Sequence, residues 1–377
     1  MFYISGITLL FFVFAFIDLI ASLIVKAFYD NYLWYGQIAV FGFILHTIIG
    51  ALYQIVPNSQ QTTLKFPFLS KIVFILSVIS SLYLYMGKFD VAYFFIAAVV
   101  LIFTFHISFI IKDISSLTVK YILASIIFTA LSGVSLILSI EFSNIPQQVA
   151  FHLFTIGGMI NAVLGVQTAW IPMIYMQPLG KTKVGKLIIN SLFYIHQFIV
   201  ISIILSFWIG DYKLLASFAI IELAIILLFL KYIFFDSIKP QIKLYGIPYT
   251  VKFFISGHLF LILGILTAHI IGISHRFELI DYHVTFVIYG FGIFTILGGV
   301  LHLTPRMIFN LKQNKKSGFS LSRGKLEFLF KIILGSYLMF IILNVYGFSF
   351  FASLFYAVVM LIAFIGLTVD FYKLYKS

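Results

Sequence analysis

Apolar residues occur along this chain in long runs that are separated by short polar breaks. A helix needs about 20 consecutive apolar residues to cross the hydrocarbon core of a bilayer. Twelve runs of that size cover residues 4–28, 33–57, 69–87, 89–111, 118–140, 147–174, 184–209, 213–235, 250–273, 280–305, 324–346 and 348–373. The pattern predicts an all-α integral membrane protein with about twelve transmembrane helices, forming one polytopic domain over residues 1–377.

The composition excludes a soluble protein and several kinds of site. Of 377 residues, 62% are hydrophobic and 10% are charged, and a soluble domain of this size could not hide that much apolar surface. The first run follows no basic segment and is too long for a signal peptide, so we interpret it as the first span. Cysteine is absent, which excludes disulfides, thiolate metal sites and covalently attached haem.

The basic residues predict the orientation in the membrane. Nineteen of the 24 Lys and Arg lie after even-numbered spans or at the C-terminus, four lie after odd-numbered spans, and Lys331 lies within span 11. Such a bias places both termini in the cytoplasm. The net charge of +12 then follows from topology and attraction to anionic lipid, without any need for nucleic acid. The bias towards Ile, Phe and Lys favours a prokaryotic cell membrane.

A glycine and proline pattern recurs in the second, sixth and tenth spans. The pattern G-x7-G-x6-P is matched by Gly42, Gly50 and Pro57, by Gly157, Gly165 and Pro172, and by Gly290, Gly298 and Pro305. Matches in register, four spans apart, predict a threefold internal repeat over roughly 1–111, 118–235 and 250–373. Because these spacings keep the glycines on one face of a helix, they predict close approach of another helix or of a flat cofactor.

Histidines accompany this pattern in spans 6 and 10. His283 and His302 flank the glycines of span 10, and His152 precedes those of span 6. With the twelve spans and the threefold pattern, they make the chain resemble a small, divergent member of the haem-copper oxidase subunit I superfamily. NnrS-type haem and copper proteins are a more distant comparison.

In compact members of that superfamily, the related helices read H-x-H-x4-G-x7-G-x6-P. Span 10 keeps the first histidine as His283 and has Thr285 at the second position, whereas span 6 has Ala150 at the first and keeps His152 at the second. Span 2 has Tyr35 and Gln37 at these two positions. The resemblance therefore covers the whole chain in topology and three helices in motif.

The resemblance implies one or two haem b groups with axial histidine ligands. For an outer haem site the candidates are His152, His283 and His269, and for an inner one His258 and His302; His46 lies near mid-membrane as a further candidate. For copper or non-haem iron the candidate ligands are His152, His196 and His283. That site is incomplete, because Gln197 follows His196 where the family has a second histidine.

Carboxylates within the spans are sparse. Asp18 in span 1 and Glu222 in span 8 are isolated and suit either a proton-handling role or a hydrogen-bonded packing role. Glu327 and Lys331 are four residues apart in span 11, and this spacing predicts an ion pair near the inner boundary. No proton channel is evident in the sequence.

Three functions remain open. The leading interpretation is a haem-binding membrane subunit of a respiratory electron-transfer complex, with lipid, redox partner subunits and quinol as partners. The second is an oxidoreductase of the haem-copper oxidase type that reduces a gas or handles nitric oxide, using haem and a second metal. The third is a cofactor-free transporter or assembly subunit built on the same scaffold.

Overall fold

A computed structural model describes residues 3–29, 31–142, 145–180, 182–238, 246–312 and 321–376. Within these residues, twelve helices are long and apolar enough to cross a membrane, and the chain is a multi-pass membrane protein. They are α1 (Gly6–Tyr29), α2 (Tyr32–Ser59), α3 (Pro67–Tyr85), α4 (Phe89–Ser108), α5 (Leu117–Glu141), α6 (Gln147–Tyr175), α7 (Lys183–Ile209), α8 (Tyr212–Phe235), α9 (Tyr249–Ser274), α10 (Phe277–Leu311), α11 (Arg323–Val345) and α12 (Ser349–Lys376). The described residues contain no strand. The predicted twelve spans are thus confirmed.

Polar residues at the breaks begin the helices. The side chains of Ser116, Thr182 and Asp211 accept hydrogen bonds from first-turn amides of α5, α7 and α8 at 3.2, 2.9 and 2.9 Å. Gly210 ends α7 in the left-handed conformation, with φ of 72°, which costs glycine little because it has no Cβ. A break of only two residues therefore suffices to reverse the chain between α7 and α8.

The helices pack in three groups of four. The most extensive contacts join α3 to α4, α5 and α6 in succession, and α7 to α8, α9 and α10 in the same way. The third group is α11, α12, α1 and α2, in which α12 packs against α1. Each group ends in a helix that carries the glycine motif.

The motif-bearing helices occupy the centre of the bundle. Buried positions make up 89%, 67% and 72% of the apolar windows of α2, α6 and α10, against at most 50% in every other span. Lipid-facing positions therefore belong mainly to the nine surrounding helices. We call the end of the bundle at which α2, α6 and α10 begin the outer end.

Each central helix contains a π-helical segment at the same place in the motif. These segments are Ile38–Ile44, Leu153–Ile160 and Thr285–Gly292, and each includes the first glycine of its motif. A fourth lies in α8, at Leu230–Phe235. The wider turns of a π-helix are rare, and those that occur are frequently at functional sites. Their common register in α2, α6 and α10 therefore marks this level of the bundle as a place to look for a site.

The motif glycines lie against the preceding helix of the chain. A Cβ atom on the second glycine, at Gly50, Gly165 or Gly298, would lie 3.2–3.3 Å from the carbonyl oxygen of Thr8, Thr118 or Thr250, respectively. A Cβ atom on the first glycine, at Gly42, Gly157 or Gly290, would lie within 2.9 Å of the side chain of Asp18, Phe128 or Phe260. Each of these three residues comes ten positions after its threonine. Of the two alternatives for close approach, a helix takes this place at all six glycines.

Some residues behind the orientation prediction are not described. Lys181, Lys239, Lys243, Lys315 and Lys316 lie outside the described residues. The predicted ion pair of span 11 is present, with Lys331 Nζ 2.7 Å from Glu327 Oε1 on the exposed surface of α11. Exposed pairs of this kind contribute little to stability.

Substitution of a motif glycine should overpack the bundle. In Gly290→Ala the new methyl group would lie 2.6 Å from both Phe260 Cβ and the Tyr337 hydroxyl, and we expect the free energy of unfolding to fall by about 1–3 kcal/mol. The control is Gly335→Ala in α11, where nothing lies within 4 Å. Unfolding in detergent micelles measures both variants, and equal stability would contradict the packing role.

Candidate functional site

Two histidines from neighbouring central helices meet at the outer end of the bundle. The rings of His152 in α6 and His283 in α10 are nearly parallel, at 19°, with centroids 6.5 Å apart. Both residues are partly exposed, so the pair is reached from the outer end. The sequence placed both histidines in an outer site, and the structure brings these two together.

Backbone carbonyl groups fix the orientation of both rings. His152 Nδ1 lies 2.8 Å from the carbonyl oxygen of Gln148, and His283 Nδ1 lies 2.9 Å from that of Gly264. A carbonyl oxygen only accepts, so each Nδ1 carries the proton and each Nε2 keeps a free lone pair. Metal-binding histidines in proteins are held in this way. The donor set therefore suits a metal ion bound by two imidazoles.

The third outer candidate faces elsewhere. His269 in α9 donates its Nδ1–H to the carbonyl oxygen of Ala216 in α8, at 2.9 Å. The ring packed on His152 is instead that of Phe207 in α7, with centroids 4.1 Å apart. Within the described part of the chain, His269 makes no ring contact with His152 or His283, so the structure places it outside the pair.

The two inner candidates lie against the same stretch of α6 without meeting. His258 Nε2 donates to Gln167 Oε1 at 2.7 Å, while His302 packs its ring on Trp170 with centroids 4.5 Å apart. In the described residues neither His258 Nδ1 nor His302 Nε2 has a hydrogen-bond partner, and both atoms are buried. The structure therefore holds each of these histidines separately.

The predicted three-histidine metal set is divided between two depths. His196 lies eleven residues before Phe207 in α7, which corresponds to about 16 Å along the helix, and Phe207 is the residue that packs on His152. His196 therefore cannot join His152 and His283 around one ion. Across the described ranges, no three His, Asp or Glu side chains are grouped as metal ligands.

Two buried histidines are instead paired with the two isolated carboxylates. His196 Nδ1 lies 3.0 Å from Glu222 Oε2, joining α7 to α8. His46 Nδ1 lies 2.5 Å from Asp18 Oδ2, joining α2 to α1. In both pairs the histidine Nε2 is buried and has no partner among the described residues. The sequence identified all four residues as functional candidates but could not pair them.

A buried lysine is the site residue that the sequence analysis missed. Lys26 of α1 is fully buried and forms an ion pair with Asp281 of α10, while the Tyr35 hydroxyl donates to the same carboxylate. Lys26 Nζ also lies 4.4 Å from the centre of the Tyr35 ring. In the sequence Lys26 looks like an ordinary basic residue at the outer end of span 1, and the available signal was Asp281, an acidic residue two positions before His283.

The motif glycines could hold a haem only if there were free space in front of them. Side chains of α5 and α9 already fill the positions in front of Gly157 and Gly290. Between α2, α6 and α10 there is an apolar cavity of about 80 Å³ bordered by Trp170 and Gln167, well below the several hundred Å³ that sites for large ligands occupy. The glycine face is therefore not a cradle for haem. Of the predicted haem ligands, only His152 and His283 bring their rings into contact.

Comparison with known proteins gives one informative relative. No protein-family model matches the chain. The chain is 37% identical over 329 residues to an "Uncharacterized protein" of Aquifex aeolicus (strain VF5), and the match covers 86% of this chain and 85% of that protein. This chain therefore belongs to the same family as the Aquifex protein.

The buried pair of α7 and α8 should be strongly coupled. In Glu222→Leu the imidazole of His196 is left buried without its acceptor, and we expect the free energy of unfolding to fall by about 1–3 kcal/mol. Adding His196→Phe should recover part of that loss, because no unpaired polar group then remains. A double-mutant cycle measured by unfolding in detergent tests this, and purely additive effects would contradict the pairing.

Proposed function

We propose that this chain, as a member of that bacterial family, is a haem-binding membrane protein whose iron is held by His152 and His283 at the outer end of the bundle. It would serve as the membrane subunit of a respiratory electron-transfer complex in a prokaryotic cell membrane. The observation that carries the proposal is the geometry of this pair, two nearly parallel imidazoles from adjacent central helices with both Nδ1–H groups held by the backbone.

The spacing of the rings supports a shared metal ion. With each metal–nitrogen bond about 2 Å long and each nitrogen roughly 1 Å from its ring centre, one ion between two imidazoles separates the centroids by about 6 Å. The observed separation is 6.5 Å. Phe207 packs on the ring of His152, with centroids 4.1 Å apart, and limits movement of that ring.

A bound haem would supply one-electron chemistry. The chain's own contribution is to present two neutral imidazoles, to fix their tautomers through Gln148 and Gly264, and to keep the pair close to the outer surface. A donor or acceptor on that side could then exchange electrons with the site. Redox partner subunits and quinol are the partner classes that we propose.

Each of the other two functions depends on a different observation. A gas-reducing enzyme needs a second metal beside the haem, and His196, its proposed ligand, lies about 16 Å deeper than the pair. A cofactor-free, proton-coupled transporter is favoured by the buried pairs Asp18–His46 and Glu222–His196, which need no metal. A colourless protein would favour the transporter.

The orientation and the repeat are also proposals. We propose cytoplasmic termini from the positive charges, and a threefold repeat from the three helix groups and the matching threonine–glycine contacts. Because the natural chain has no cysteine, single cysteines report orientation directly. We expect Lys213→Cys, exposed in the first turn of α8, to react with a membrane-impermeant maleimide on intact cells. Ser115→Cys, exposed between α4 and α5, should react only after lysis. The reverse pattern would overturn the orientation.

The optical spectrum tests the haem proposal. After expression with ample haem, the purified protein should show the sharp reduced bands of a six-coordinate low-spin haem, with haem extracted and counted per chain. His152→Ala and His283→Ala should each lose that spectrum, because each removes one of the two axial ligands. His269→Ala is the matched control and should keep it.

The contrary results are equally clear. A colourless wild-type chain, or an unchanged spectrum in both alanine variants, would overturn the proposed ligation. Carbon monoxide then separates the carrier from the enzyme, because a six-coordinate haem has no open position for it. Binding of carbon monoxide to the reduced wild-type protein would favour the gas-reducing enzyme.

A further inference from the structure

A file of buried polar residues runs along one face of α1. Asp18, Ser22 and Lys26 are four residues apart and stand one helical turn above another, and all three are fully buried. Eight residues of α-helix span about 12 Å, which leads from mid-membrane depth to the outer end. Ionisable groups inside a membrane are costly and mark functional sites by default.

The inner end of the file is a cluster of three titratable groups from three helices. Asp18 accepts a hydrogen bond from His46 Nδ1–H at 2.5 Å and another from the Tyr85 hydroxyl. His46 Nε2 is buried without a partner among the described residues. A carboxylate beside a neutral imidazole carries one uncompensated negative charge, and a proton on Nε2 would neutralise it. The pair thus leaves one imidazole nitrogen without a hydrogen-bond donor from the described part of the chain.

Packing does not require an acid at this position. Asp18 takes the place in front of a motif glycine that Phe128 and Phe260 take in the other two groups of helices. His46 stands four residues after its motif glycine, where α6 has Asn161 and α10 has Phe294. In two of the three groups of helices, both of these positions are thus filled by residues that do not titrate. The Asp18–His46 pair is therefore a feature of one group alone.

The middle and outer parts of the file connect the pair to the surface. Ser22 Oγ lies 3.0 Å from the Tyr289 hydroxyl. One turn further out, Lys26 contacts Asp281 and the Tyr35 hydroxyl. The Asp281 side chain is 31% exposed, so the file reaches water at the outer end.

A further polar atom near the outer end of the file lacks a hydrogen-bond partner within the described residues. Thr285 Oγ1 lies one turn after Asp281 and is buried. Buried polar atoms of this kind are normally satisfied by internal water.

Titratable side chains from three neighbouring helices face the file on α1. The groups facing the file are His46 and Tyr35 from α2, Tyr85 from α3, and Asp281 and Tyr289 from α10. From α12, Tyr356 packs instead on Phe340 and Tyr337. Lys26 and Asp281 balance each other at the mouth, so the Asp18–His46 pair is the group whose charge a proton would change.

We propose that the Asp18–His46 pair is a proton-binding site that exchanges protons with the outer face through Ser22 and Tyr289. The proton enters from outer water at the mouth of the file, passes along hydroxyl groups and water, and is held on His46 Nε2. No bond other than those to the proton changes. The site does not depend on His152 and His283, so it stands or falls separately from the haem.

The first measurement is the protonation of His46 in the full-length chain. Solid-state nitrogen-15 resonances of ring-labelled histidine distinguish protonated from unprotonated Nε2, and His46→Phe assigns the signal. In liposomes we expect the wild-type Nε2 to take up one proton within the pH range in which the chain stays folded. Asp18→Asn should lose this uptake over the same range, whereas Glu222→Gln, at the other buried pair, should keep it.

The second measurement is access from the outer face. Since the chain has no cysteine, Ser22→Cys can be probed with aqueous Ag⁺, added to right-side-out vesicles and detected as loss of maleimide labelling after denaturation. The matched control is Ser132→Cys in α5, at similar depth and 1% exposed. Because only the file should hold water, we expect Ser22→Cys to react at least tenfold faster than Ser132→Cys.

Either measurement alone can overturn the proposal. The proposed proton site is contradicted if His46 Nε2 never binds a proton in the folded chain. It is also contradicted if Asp18→Asn still takes up the proton. The proposed path is contradicted if Ag⁺ reacts equally fast with Ser22→Cys and Ser132→Cys. It is also contradicted if Ser22→Cys reacts faster when Ag⁺ is added from the inner side. Both results are read without haem, so a colourless protein leaves them valid.

Discussion

The close approach of neighbouring helices at pairs of glycines determines much of this architecture. In lipid the hydrophobic effect does not drive helices together, so their association depends on close packing and hydrogen bonds. At Gly50, Gly165 and Gly298 the facing groups include backbone carbonyl oxygens of the preceding helix, which cannot move aside as a side chain can. These contacts fix α1, α5 and α9 against the three central helices. The buried sites are built between helices whose spacing is already set.

The same scaffold carries different chemistry in its three parts. In front of the first motif glycine stand Asp18, Phe128 and Phe260, which share a place in the packing and little else. A polar side chain is tolerated there only because α2 and α3 supply its hydrogen-bond partners. At one of the three matching contacts, a group that needs hydrogen-bond partners thus stands where the other two have an aromatic ring.

Much of the fold could be predicted from the sequence, because span length and polar breaks are local properties. The glycine motif also predicted close approach, but a pattern in one helix does not say what approaches it. The missing signal was present in the partner helices, where TVKY at Thr118 and TVKF at Thr250 begin matching stretches of α5 and α9. Pairings such as His46 with Asp18 depend on the rotation of each helix about its axis, which sequence spacing does not fix. Lys26 was missed for the same reason, since its burial depends on α10.

The order of the helix groups has a consequence for biogenesis. The group formed by α11, α12, α1 and α2 joins the two ends of the chain, so its first two helices enter the membrane long before their partners exist. At about 5–20 residues per second, synthesis of the intervening stretch takes roughly 15–50 s. During that time α1 is in the bilayer with Lys26, whose partner Asp281 is made only with α10. Early shielding of this helix by lipid headgroups or by an insertion factor would be needed until the last group closes.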